Sequence, residues 1–188
     1  MSFFNARVLR SGGLLCAVLT ICGSQLFQSG NALAEDCSQT VEAVWLDVYA
    51  VKAATQGDCG QGDISLTVSN SDGDIEFSET YGPEDLFGFY GLASAEEMRF
   101  ALTDWITNYA QEGTSSKLPP WPQGADGPQA GEFPFYPEDG VGQELYEAVR
   151  AQDRRMICFI QGSESQLCLL QNPENGALEA VGVQTFPG

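Results

Sequence analysis

The segment "MICFIQGSESQLCLL", Met156 to Leu170, constrains the fold more than any other stretch of the chain. Two apolar runs flank a turn at Gly162-Ser163, and each run carries one cysteine, Cys158 and Cys168. A three-residue loop, Gly162-Ser163-Glu164, sets Gln161 opposite Ser165 and therefore Cys158 opposite Cys168. Residues opposed at a non-hydrogen-bonded antiparallel site have Cα atoms ~4.5 Å apart, within reach of a disulfide. Two other chemistries use paired cysteines. A redox dithiol favours C-x-x-C at a helix start, and a structural zinc needs four clustered ligands. Neither spacing occurs here. The segment is expected to be a hairpin stapled by Cys158–Cys168.

Such a staple requires an oxidising compartment, and the N-terminus points to one. "MSFFNARVLRSGG" carries Arg7 and Arg10 and no acid; the apolar run Leu14 to Phe27 follows, and then small residues ending in Ala32-Leu33-Ala34. A charged region, a short apolar region and an A-x-A site predict a cleavable signal over residues 1–34. The run is shorter than the ~20 apolar residues of a membrane span. Cys16, Cys22 and Cys37 follow Leu15, Ile21 and Asp36, where a lipoprotein signal wants a small residue. Residues 35–188 are then a single exported domain, periplasmic or secreted.

Export makes the chain more acidic. The whole chain has 8 Lys and Arg against 26 Asp and Glu, a net charge of −18; without Arg7 and Arg10, six face 26, a net of −20. Nucleic acids and anionic membrane surfaces call for basic patches. The charge suits solubility, a saline environment or a basic partner, and a solvated acidic surface is the plainest of these expectations. Histidine is absent from the sequence, which removes Ser-His-Asp and Cys-His nucleophile systems and His-ligated zinc. Catalysis would fall to carboxylates, tyrosines, or Lys52 and Lys117. No cofactor motif and no metal-ligand spacing occurs.

Periodicity outlines the domain. Val41 to Val51 is apolar on both alternating faces and reads as one buried strand. "DISLTVS" places Ile64, Leu66 and Val68 inward, and "GDIEFSETY" places Ile75 and Phe77 inward, with a turn at Asp72-Gly73 between them. A helix begins at a capping box of Ser94 and Glu97 and is expected to run to a C′ glycine at Gly113. Met98, Leu102, Trp105 and Tyr109 form its apolar stripe, and Phe100 lies off it. Residues 113–139 contain six prolines and read as a long loop. A second helix, "GVGQELYEAVRAQD", is expected to turn Val141, Leu145, Ala148 and Val149 inward. Three more strands close the chain. The expected fold is α+β: two three-stranded meanders in one antiparallel sheet of about six strands, with two helices on one face.

Several stretches are candidate sites. Elimination pairs Cys37 with Cys59, although a straight strand between them would hold them too far apart unless the chain doubles back. Asn70, Asp72, Asp74 and Glu76 alternate around the "NSDG" turn, but a calcium loop would need glycine and glutamate where Ile75 and Tyr81 stand. The acidic pairs Glu84-Asp85, Glu96-Glu97 and Glu138-Asp139 are the material for a carboxylate-dependent glycan hydrolase, which needs two carboxylates ~5–10 Å apart across a bond. Two aromatic loops are stronger candidates for contact with a protein or glycan: Phe87 and Tyr90 in "YGPEDLFGFYG", and Trp121, Phe133, Phe135 and Tyr136 in the proline-rich loop. The competing expectation is that these aromatics cover the second face of the sheet. The reading that best fits the sequence is an exported, acidic, disulfide-containing domain with a non-catalytic binding role towards a basic protein. A small glycan hydrolase of the cell envelope is the alternative.

Overall fold

The computed structural model describes residues 36–186. The expected signal, residues 1–34, lies outside the described residues. Two antiparallel sheets and two helices make an α+β fold.

The first sheet is a four-stranded meander, β1 (Gln39–Trp45), β2 (Tyr49–Gln56), β3 (Asp63–Ser69) and β4 (Ile75–Tyr81), paired in that order. Val41 to Val51 is therefore not one strand. The chain reverses at Leu46-Asp47, both with positive φ (48° and 61°), and the Val48 N–H donates to the Trp45 carbonyl at 3.2 Å. Such a turn favours Gly, Asn and Asp, which tolerate positive φ; a residue such as Leu46 loses ~1–2 kcal/mol there. Tertiary contacts offset that cost. Leu46 is 1% exposed, and its N–H donates to Glu112 Oε1 at 2.6 Å. Asp47 pairs with Arg155 at 2.9 Å. On β3, Ile64, Leu66 and Val68 are fully buried. On β4, Val68 faces Phe77 but Ser69 faces Ile75, so the ladder skips Glu76. That bulge turns Ile75 to solvent, against expectation, and leaves Phe77 on the core side.

The first helix, α1 (Ala95–Thr107), starts as its capping residues predict: Ser94 Oγ accepts the Glu97 N–H at 3.3 Å, and the Glu97 carboxylate accepts the Ala93 N–H at 2.9 Å. Met98, Leu102, Trp105 and Ile106 are buried. The helix stops at Thr107, well short of Gly113. The Asn108 N–H donates to the Asp104 carbonyl at 2.8 Å, and Ala110–Thr114 leaves the helix to become β5 along the edge of β7. Pairing there satisfies backbone groups that β7 would otherwise expose. It also takes Tyr109 off the buried stripe.

The second sheet has the order β5-β7-β8-β9-β6, with β6 at Phe135–Pro137, β7 at Arg155–Ile160, β8 at Ser165–Gln171 and β9 at Leu178–Thr185. Two sheets, of four and five strands, thus replace the single six-stranded sheet expected. The reason lies in β7 and β8, which are apolar on both faces. Ile157, Phe159, Leu167 and Leu169 meet the first sheet, where the Phe159 ring lies 5.2 Å from Trp45 and 5.5 Å from Phe77. Met156, Cys158, Cys168 and Leu170 point the other way, into a second core with Leu118, Phe135, Tyr146 and Val181.

Helix α2 (Gln143–Ala151) and the proline-rich segment cover that second core. The helix turns Tyr146 and Val149 inward, with Val141 just before it packed on the same core; Leu145 is 55% exposed and Ala148 is also exposed, so its buried face is rotated from the expected one. The proline-rich segment is tied down along its length. Its Leu118 carbonyl accepts the Arg150 Nε–H at 2.8 Å, its Pro119 carbonyl accepts the Tyr146 O–H at 2.9 Å, and the Trp121 N–H donates to Glu147 Oε1 at 2.6 Å. Strand β6 then pairs with β9, where Pro137 stands opposite Gly182. A Cβ on Gly182 would lie 2.5 Å from the Tyr136 carbonyl oxygen and 2.6 Å from Phe135 Cε1, so only glycine permits this approach.

Candidate functional site

The staple expected from the hairpin register is present. Cys158 stands opposite Cys168, with Cα atoms 4.0 Å apart, and the two are disulfide-bonded. The second disulfide, Cys37–Cys59, exists because the chain doubles back at Leu46-Asp47. That reversal pairs Gln39 with Thr55 and lets the Cys37 N–H donate to the Gly57 carbonyl at 2.9 Å, which brings the cysteine Cα atoms to 4.8 Å. Both bridges lie in structural surroundings, and Cys37 is committed to Cys59. Among the described residues no helix is long and apolar enough to cross a membrane.

An open groove of about 470 Å³ lies between α1 and the loop before it. Two indoles position α1. Trp45 Nε1–H donates to the Ile106 carbonyl at 2.8 Å, and Trp105 Nε1–H donates to the Ile160 carbonyl at 2.7 Å, tying the helix to both sheets. The loop, residues 82–92, is docked onto the β7–β8 turn: the Phe87 N–H donates to the Gly162 carbonyl at 3.2 Å, and Ser163 Oγ–H reaches the Asp85 carbonyl at 3.3 Å. Leu86 and Phe89 anchor it in the core. Between Phe87 and Phe89, Gly88 has φ +86°, which lets the two rings part. Phe89 packs edge-on against Trp105 at 5.6 Å, while Phe87 is half exposed and packs edge-on against Tyr109 at 5.8 Å.

Floor and rim differ in chemistry. Phe89, Trp105, Leu92 and Ala101 make the floor; Phe87, Phe100 and Tyr109 stand up around it, Phe100 at 65% exposure. Three acids complete the rim, Glu96, Glu97 and Asp104. Glu97 is occupied by its cap, and the Ala93 N–H holds its carboxyl below the usual glutamate range. Asp104 Oδ1 accepts the Asn108 amide at 2.6 Å. Among the described residues neither lysine nor arginine lines the groove.

The sequence candidates divide between two places. Phe87 lines this groove, and Tyr90, 84% exposed, follows it in the same loop. The other four belong to the cover of the second core. Phe135 is 4% exposed and packs against Tyr146 at 6.0 Å; Trp121 is half-buried beside Tyr146 at 5.7 Å and donates its indole N–H to the Ala125 carbonyl. Phe133 packs on Phe186, and Tyr136 faces solvent on β6. Phe100, Tyr109 and Asp104 are not among the sequence candidates, and Glu96 is one only as half of the Glu96-Glu97 acidic pair. The departure of Phe100 from the helix stripe was the one signal that could have found them.

Several of the acidic side chains serve local structure. Asn70 Oδ1 accepts the N–H groups of Asp72 and Asp74, both at 3.0 Å, and its amide donates to Glu76 at 2.7 Å, closing the hairpin turn. Among the described residues no three acidic or cysteine side chains are grouped as metal ligands. Glu147 is held below the usual range by the Trp121 N–H, Asp153 by the Ser116 and Thr114 hydroxyls, and Glu179 by Arg154 and Asn172. No protein-family model, curated protein or solved structure matches the chain.

Proposed function

We propose that this is an exported, non-catalytic binding domain that holds a basic partner protein at the α1 groove. The observation that carries the reading is the groove itself: an apolar floor, exposed aromatic rings and a rim with acids and, among the described residues, no cations. Rigid aromatics bind at low entropic cost, and a field of one sign speeds association with an oppositely charged partner. The two disulfides and the expected signal at residues 1–34 suit an oxidising compartment, periplasmic or extracellular. A glycan hydrolase would need an acid that keeps its proton near neutral pH. Glu97, a member of one of the acidic pairs, is shifted the opposite way.

The test is capture of a basic protein from the native envelope fraction by tagged residues 35–188. A Phe87→Ser, Phe100→Ser double variant should lose the partner while unfolding at the wild-type denaturant concentration, because both side chains are at least half exposed. Capture should weaken as salt rises. Capture that survives the double variant but is lost on Tyr136→Ala would refute the groove assignment.

A further inference from the structure

We infer that the α1 groove receives an arginine side chain flanked by an apolar residue, presented on an extended segment of the partner; this rests on the binding role proposed above. Glu96, Phe100 and Asp104 follow one another at four-residue intervals on α1 and share one face of the helix. At 1.5 Å of rise per residue, a carboxylate stands about 6 Å along the axis on either side of the Phe100 ring. A planar cation lying on that ring can reach either acid without leaving it.

Both acids have capacity to spare. Among the described residues the Glu96 carboxylate makes no hydrogen bond and no ion pair, and the Asp104 carboxylate is engaged only through Oδ1, by the Asn108 amide. Arg99, three residues along the helix from Glu96, does not line the groove, and among the described residues no other lysine or arginine does. Phe87 and Tyr109, set edge to face at 89°, add a second aromatic wall. Arginine fits this arrangement better than lysine, because its flat, weakly hydrated guanidinium stacks on rings and donates to a carboxylate with a separate edge. The apolar floor of Phe89, Leu92 and Trp105 leaves room for a neighbouring aliphatic side chain.

The experiment is a two-dimensional amide NMR titration of residues 35–188 with three capped tetrapeptides. Each has a leucine beside one variable residue: arginine, lysine or citrulline, the uncharged near-isostere of arginine. The arginine peptide should shift amides of residues 86–92 and of α1, and should bind about five- to tenfold more tightly than the citrulline peptide. Lysine should fall between them. Phe100→Ala and Glu96→Gln, both at exposed positions, should each erode the arginine preference, and Tyr136→Ala should not. Equal binding of arginine and citrulline peptides at the groove would overturn this inference and leave an apolar docking site. Absence of groove shifts with all three would overturn the binding role as well.

Discussion

Replacing Gly182 by alanine tests how the proline-rich segment is held. The added Cβ would meet the Tyr136 carbonyl oxygen at 2.5 Å and Phe135 Cε1 and Cζ at 2.6 and 2.8 Å. Ordinary contact begins near 3.4 Å, so β6 must retreat by almost 1 Å. Rotating the Phe135 ring cannot relieve the contact with the Tyr136 oxygen, because that atom belongs to the backbone. The lower bound on the cost is that of an overpacked core site, ~1 kcal/mol. The upper bound is loss of β6: Phe135, now 4% exposed, would enter water at ~1.5–3 kcal/mol, and ladder hydrogen bonds worth ~0.5–1.5 kcal/mol each would go with it. A loss of about 2–4 kcal/mol is expected. Urea denaturation of residues 35–188 measures it, and amide exchange localises it to residues 133–138 and to β9. In a chain of this size that loss lowers Tm by roughly 5–15 °C. A variant within about 0.5 kcal/mol of wild type, with unchanged exchange in β6, would refute the close approach of β6 and β9.

Two further predictions concern tyrosines and acids. Among the described residues the buried Tyr81 hydroxyl has no hydrogen-bond partner, its ring lies edge-on to Trp105 at 5.7 Å, and burial pushes its pKa up to about 12. Tyr81→Phe should leave stability unchanged or raise it by about 1 kcal/mol, whereas Tyr146→Phe, which removes the bond to the Pro119 carbonyl, should lower it by about 1 kcal/mol in the same urea assay. A loss above about 1 kcal/mol for Tyr81→Phe would contradict the reading. Glu147 titrates below its ordinary value of 4.5 because the Trp121 N–H bonds its carboxylate. A lowered folded pKa gives stability that is present above 4.5 and is lost as pH falls through the folded value. Trp121 emission should therefore shift to the red over that window, and Glu147→Gln should flatten the transition; an identical acid profile for the variant would refute the link.

Features set by neighbours along the chain were legible in the sequence. Cys158 and Cys168 face each other because a three-residue loop determines the register of its own hairpin. Ser94 and Glu97 marked the start of α1 because capping is a contact over three residues. The alternation of Ile64, Leu66 and Val68 identified a half-buried strand wherever its partners lay. The clustered aromatics of residues 81–91 and the misplaced Phe100 pointed towards the groove without locating it.

Tertiary structure decided the rest. Asp47 suits a turn, but Leu46 carries no local signal for a reversal. They turn because Glu112, Arg155 and a buried pocket, all distant in sequence, offset the strain. From that one turn follow the fourth strand of the first sheet and the Cys37–Cys59 bridge. The same dependence on distant partners ended α1 early, since residues 110–114 gain more as an edge strand of β7 than as two further helical turns. It also assigned the aromatics. Phe135 and Trp121 went to the cover because β7 and β8 are apolar on both faces and water had to be excluded from the second. Phe87 was left at the rim because Gly88 turns Phe89, and not its neighbour, into the core.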